Sequence, residues 1–151
     1  MNLYRLKSYI ILGDKMRVRY RDVDVDYLGR IMRAEAVGEG VLGMKLVGNV
    51  VVNRVVYSCQ PFKKIDTVYK AVMQKNQFEG TTIKLFTSQA TSKERKLAMD
   101  CIKFWRGDPA TRALYFQNPG KGKSCKTDWY GVLAGRFRNH CFYNPEDLCN
   151  L

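Results

Sequence analysis

Apolar positions along Tyr27–Asn53 recur with helical spacing. Leu28, Ile31 and Met32 stand at i, i+3 and i+4 of one stripe, which predicts a helix running to about Val37, with Asp24 as N-cap and Asp26 in the first turn. The next position of that stripe, i+7, is Glu35. A carboxylate facing a core loses hydration, so it must be paired or hold its proton more tightly. Gly38 then breaks the helix, Glu39 falls in the turn, and Gly40 leads into a second helix over about Val41–Tyr57. Leu42, Leu46, Val47, Val50, Val51 and Val55 spread over more than half of its circumference, which predicts a central helix. Gly43 and Gly48 on it allow neighbours to come close, at some cost in helix propensity. Asn53 and Arg54 near its end read as a satisfied buried amide and an exposed cation.

Beyond Cys59-Gln60-Pro61 the pattern is more broken. Asp66 predicts the cap of a short helix through Met73, with Val68 and Val72 at i and i+4. Residues 74–89 read as loop, with a strand over Thr82–Phe86. Thr91-Ser92 opens another helix, whose stripe is Leu97, Ala98, Cys101, Ile102 and Trp105, and Gly107-Asp108-Pro109 stops it. Ala113–Asn118 reads as a short strand closed by Pro119-Gly120. The tail alternates polar with aromatic residues through Asp128-Trp129-Tyr130 and Asn139–Tyr143. Upstream, Gly13-Asp14 suggests a turn and Arg17–Tyr20 a short strand or an extended arm. These elements predict a mainly helical α+β single domain with a small β part.

At 151 residues the chain suffices for one domain with a real core. Apolar residues make up 46% and charged residues 26%, a balance that argues against disorder. No apolar run approaches the roughly 18–20 residues of a membrane span, and Tyr9–Leu12 is too short for a signal-peptide core. The net charge of +12 calls for polyanionic surroundings: acidic wall polymer, membrane surface or nucleic acid. Its spread along the chain, rather than in a tail, argues against nucleic acid. The five cysteines form neither a CxxC pair nor a metal-ligand spacing. Cys101 reads as a small core residue, while Cys125, Cys141 and Cys149 could pair only in oxidising surroundings.

The single histidine, His140, has no nucleophile elbow near it and is a poor start for a metal site. Gly120–Lys123 lacks the GxxxxGK[ST] pattern and the strand–loop–helix context of a phosphate loop. A glycosidase fits better. Cleavage of a glycosidic bond needs one protonated carboxyl as general acid, for which Glu35 is the candidate. Aromatic rings and amides that hold sugars could come from Phe78, Tyr115, Asn118, Trp129, Tyr130 and Phe142, although core packing explains such aromatics equally well. Glu39 is a candidate second carboxylate. A domain that binds wall polymer without cleaving it remains open on these grounds.

The segments Asp24-Val25-Asp26, Arg33–Ala36, Gly38–Gly40, Val47–Asn49, Asn53-Arg54, Gln77–Glu79, Ala113-Leu114, Trp129-Tyr130, Gly135–Arg138 and His140–Tyr143 resemble, in order and spacing, the spore cortex-lytic cell wall hydrolases of the SleB/CwlJ type, and the CwlJ branch within them. The resemblance implies a lysozyme-like, lytic-transglycosylase-related domain over 16–151, preceded by an N-terminal extension at 1–15. It implies action on the peptidoglycan glycan strands of the spore cortex during germination. Glu35 matches the family's catalytic acid/base, and no metal is implied. Asn53, Gln77 and His140 lie in the shared motifs and join Glu39 and the cleft aromatics as expected substrate contacts. The product would be 1,6-anhydro or, by the alternative route, that of a hydrolytic glucosaminidase or muramidase. The family further implies synthesis in the mother cell without a signal peptide, placement in the coat and cortex region by a coat partner protein, and calcium dipicolinate as activator. Residues 83–88 depart from the aromatic-rich run expected there.

Overall fold

The structure is a computed structural model that describes residues 16–57, 59–127, 129–146 and 149. The expected extension at 1–15, with its turn at Gly13-Asp14, lies outside the described residues. Helix α1 spans Asp22–Ala36 and buries Leu28, Ile31 and Met32 completely, as the stripe requires. Its start differs from the expectation. Arg21 is the N-cap, because the Asp24 carboxylate reaches back to accept the Arg21 amide at 2.7 Å and so allows three further residues, Asp22 to Asp24, into the helix. Asp26 falls beyond the first turn, where it accepts the Ala90 amide at 2.7 Å and pairs with Arg30 at 2.8 Å. Residues 17–20 form an arm rather than a strand, and the Arg17 amide bonds Ile102 O at 3.0 Å.

A single 3-10 turn, Val37–Glu39, joins α1 to α2, Gly40–Val56. Gly40 has φ +75°, a left-handed conformation that lets the chain reverse without a Cβ clash. Leu46, Val47, Val50, Val51 and Val52 are all fully buried, so α2 is the central helix that its apolar circumference predicts; Leu42, at its start, is instead exposed. A Cβ on Gly48 would lie 2.7 Å from Cys101 Sγ and 3.1 Å from Met32 Sδ, so this glycine sets how closely α2 approaches both neighbours. Asn49 ties α2 to the 105–107 segment, giving its amide to Trp105 O at 2.7 Å and accepting Gly107 N at 2.9 Å.

Helix α3, Val68–Met73, is capped by Thr67, whose hydroxyl accepts Lys70 N at 3.1 Å. Asp66, the expected cap, pairs with the Lys70 side chain at 2.8 Å. No strand forms over 82–86; the chain makes two 3-10 turns, Glu79–Thr82 and Lys84–Phe86. Strand pairing is replaced by Arg33 on α1, whose guanidinium takes Leu85 O at 2.8 Å and Ser88 O at 2.5 Å and pairs with Glu94 at 2.7 Å. Helix α4, Ser92–Lys103, opens with a Thr91–Glu94 capping box and ends before Trp105.

Strands β1 (Tyr115–Gln117), β2 (Val132–Phe137) and β3 (His140–Asn144) form an antiparallel sheet in the order β1-β3-β2. Tyr115 faces Tyr143 and Phe116 faces Phe142 in its register. Disulfides join Cys125 to Cys141 and Cys59 to Cys149, which brings Cys59 into a set that the sequence confined to the C-terminal region. Cys101 is free and buried. Among the described residues no helix is long and apolar enough to cross a membrane.

Candidate active site

Glu35 occupies the last turn of α1, half-buried, where the helix end meets the Glu79–Thr82 3-10 turn. Gly80 N–H donates to Glu35 Oε1 at 2.8 Å. A Cβ at position 80 would lie 2.9 Å from that oxygen and 3.0 Å from both Ala34 Cβ and Ile31 Cδ1, so only glycine lets the amide come this close. Burial pushes the Glu35 carboxyl above its ordinary pKa, the Gly80 hydrogen bond opposes this, Glu79 adds to it, and Arg54 opposes it. The net direction is upward, towards a carboxyl that keeps its proton.

The carboxyl opens into a cleft of about 530 Å³. One wall is the Gln77–Glu79 segment with Asn76; the other is β1 with Asn118, His140 and the Trp129-Tyr130 pair. Tyr115 and Tyr130 stack at 5.2 Å with 22° between their planes, and Trp129 meets Tyr130 edge-on at 5.0 Å. Phe78 and Phe116 stack at 5.8 Å. Seven of the expected contacts and the catalytic candidate therefore come together: Gln77, Phe78, Tyr115, Asn118, Trp129, Tyr130 and His140 beside Glu35.

Three expectations are corrected. Asn53 is no substrate contact but the satisfied buried amide that its place in the apolar helix predicts: it is fully buried, and its amide is spent inside the core on Ala110 O at 3.0 Å and Ala113 O at 2.8 Å, with Arg17 on its carbonyl oxygen at 2.6 Å. Glu39 is buried outside the cleft, accepts Asn139 N at 3.0 Å and lies 3.6 Å from His140 Nδ1. It supports the β2–β3 turn and the face of His140 turned away from the cleft. Burial lowers the His140 pKa and Glu39 partly offsets this. Phe142 is fully buried in the core.

Arg54, read as an exposed cation, is only 3% exposed and forms part of the cleft wall. It donates to Leu114 O at 2.8 Å and Gln77 Oε1 at 3.1 Å, and its guanidinium lies 4.4 Å from the Phe62 ring centre and 4.5 Å from that of Phe78. Burial lowers its pKa to about 9, which still leaves it charged at neutral pH. Exposed Glu79 also lines the cleft. Periodicity had no means of finding either residue, since Arg54 continues an apolar helix and Glu79 sits in a loop. Among the described residues no group of three or more His, Cys, Asp or Glu side chains could hold a metal ion.

The sequence profile of the cell wall hydrolase family matches residues 38–143. The chain belongs to that family. It is 44% identical over 130 residues to the cell wall hydrolase CwlJ of Halalkalibacterium halodurans, covering 85% of this chain and 90% of that protein. With the cell wall hydrolase CwlJ of Bacillus subtilis the identity is 41% over 129 residues, covering 85% and 89%. Among solved structures, the catalytic domain of the Bacillus cereus SleB protein superposes with a TM-score of 0.67 at 25% identity, over 87% of this chain and 99% of that one. The catalytic domain of the germination-specific lytic transglycosylase SleB from Bacillus anthracis gives 0.64 at 24% identity, over 83% and 97%. The family and the lysozyme-like α+β fold are those expected from the sequence motifs.

Proposed function

We propose that this cell wall hydrolase is a glycosidase that cleaves the peptidoglycan glycan strands of the spore cortex during germination, with Glu35 as its acid/base. The observation that carries the reading is a half-buried carboxyl with a raised pKa, one backbone hydrogen bond and an aromatic-walled cleft in front of it. A protonated Glu35 gives its proton to the glycosidic oxygen as the bond from C1 breaks. The resulting carboxylate then takes the proton of the same sugar's 6-hydroxyl as that oxygen bonds to C1, which yields a 1,6-anhydro end and restores the acid. One carboxyl serves both steps, in the manner of a lytic transglycosylase.

Glu79, on the same cleft wall, favours a second reading in which it acts as base for a water molecule and the product is hydrolytic. The Glu35→Gln protein tests the catalytic assignment on purified cortex peptidoglycan; release of fragments at an unchanged rate would sink it. Mass spectrometry of the reducing ends separates the two readings, since only the transglycosylase route gives anhydro ends. Placement in the coat and cortex region by a coat partner, and activation by calcium dipicolinate, belong to the same proposal. Adding calcium dipicolinate to the purified protein tests the latter directly.

A further inference from the structure

A second hollow of about 460 Å³ lies on the far side of Tyr115, Trp129 and Tyr130, and these three residues line both it and the Glu35 cleft. Leu114 and the Cys59–Cys149 disulfide lie on its inner side, while Gln60, Lys63 and Glu146 stand at its rim. The saddle between the hollows is the stacked Tyr115–Tyr130 pair. Tyr130 is 60% exposed, yet its position is set from below. Gly131 follows it with φ +72°, and a Cβ there would run into Asn144 O, so the turn is clamped onto β3. The fold therefore holds a flat aromatic ring in water, between two hollows.

We propose that the second hollow is a saccharide subsite, which carries the glycan strand beyond the Glu35 cleft and across the Tyr115–Tyr130 saddle; this rests on the glycosidase reading above. Sugar rings present apolar C–H faces that pack on aromatic rings, and edges of hydroxyls that both donate and accept. The rim supplies both kinds of partner: Lys63 donates, the Glu146 carboxylate accepts, and the Gln60 amide does each. One cation against one anion gives the rim no net preference for a charged ligand, unlike the chain as a whole with its charge of +12. This favours recognition of sugar rings through their hydroxyls and faces over recognition of an anionic polymer through charge.

The test uses peptide-free glycan fragments, a tetrasaccharide and an octasaccharide with their muramyl carboxyls converted to amides so that neither length is charged, with binding to the Glu35→Gln protein measured by calorimetry. The octasaccharide should bind about tenfold more tightly, equal to about 1.4 kcal/mol. Adding Tyr130→Ala, which removes the saddle, or Glu146→Trp, which fills the hollow, should cut that ratio to about twofold. Equal affinity for both lengths would overturn the subsite, as would a ratio that survives both substitutions. It would also be overturned if a stem peptide on the tetrasaccharide supplied the gain instead of added sugars. The wild-type protein, assayed for cleavage of the same fragments, keeps the two proposals apart: failure to cut either one strikes the glycosidase reading, while the binding ratio alone judges the subsite.

Discussion

Glu35 at the end of α1 receives its single hydrogen bond, among the described residues, from the Gly80 amide at 2.8 Å. A neutral amide satisfies one carboxyl oxygen without supplying a positive charge, so burial decides the direction of the pKa. On the proposed mechanism, this contact on Oε1 leaves Oε2 as the oxygen that delivers the proton.

Glu35→Gln should lower the rate of cortex cleavage by about 10²–10⁴-fold, read by release of reducing ends. In the wild type, activity should fall on the alkaline side as Glu35 ionises. Stability should fall over the same pH range. Because the folded pKa is raised, the contribution of Glu35 to stability is fully present below its unfolded pKa and is lost as pH rises through the folded one. At neutral pH the Gln variant should therefore be the more stable protein, by roughly 0.5–2 kcal/mol, with the gap closing in acid. Thermal melts in acidic and neutral buffer check the sign.

Gly80→Ala should lower stability and rate together. The added methyl meets Glu35 Oε1 at 2.9 Å, and Ala34 and Ile31 leave no room behind it. Overpacking of this kind costs about 1–3 kcal/mol, and displacing a catalytic group by ~1 Å costs about 10²-fold in rate. Denaturant unfolding and cleavage kinetics together show both effects.

Arg54→Met removes the cation that lowers the Glu35 pKa, so the alkaline limb of the pH–activity profile should shift to higher pH. Leu114 O and Gln77 Oε1 lose their donor, at a cost of about 1–3 kcal/mol. Arg54→Lys keeps the charge but loses the planar fork that spans both acceptors. It should leave the limb near its wild-type position while still losing stability. An unshifted limb in the Met variant would show that Arg54 is only structural.

Reduction should weaken the cleft wall before it destroys the fold. The Cys125–Cys141 bridge staples to β3 the loop that precedes Trp129 and Tyr130, and a disulfide contributes about 2–4 kcal/mol. Cys125→Ser should lower the unfolding midpoint and raise KM for cortex strands more than it lowers kcat. Cys101, buried among α2 and α4 residues with its thiol pushed up to about 12, should resist alkylation in the native protein and react after unfolding.

The site was legible wherever a local pattern was broken. Glu35 stood out because it interrupts an apolar stripe beside a glycine, and the aromatics of the tail stood out because they alternate outside any helix. Asn53 and Glu39 were misplaced because a polar residue near a motif reads the same whether its amide or carboxylate faces the cleft or the protein. The strand expected over Thr82–Phe86 failed for a related reason: its β-forming residues have no partner strand among the described residues, and the Arg33 guanidinium takes Leu85 O and Ser88 O instead.

By itself the sequence determined the two helices around Gly38–Gly40, the central position of α2, the candidate acid and, through its ordered motifs, the family. These follow from periodicity, glycine placement and residue order, all of which are local along the chain. Only the tertiary structure decided that Gly80 reaches Glu35 from 45 residues away, that Arg54 is buried between Phe62 and Phe78, and that Cys59 pairs with Cys149 across 90 residues. Such contacts depend on which faces meet when α1, α2 and the sheet pack, and no local pattern encodes that meeting.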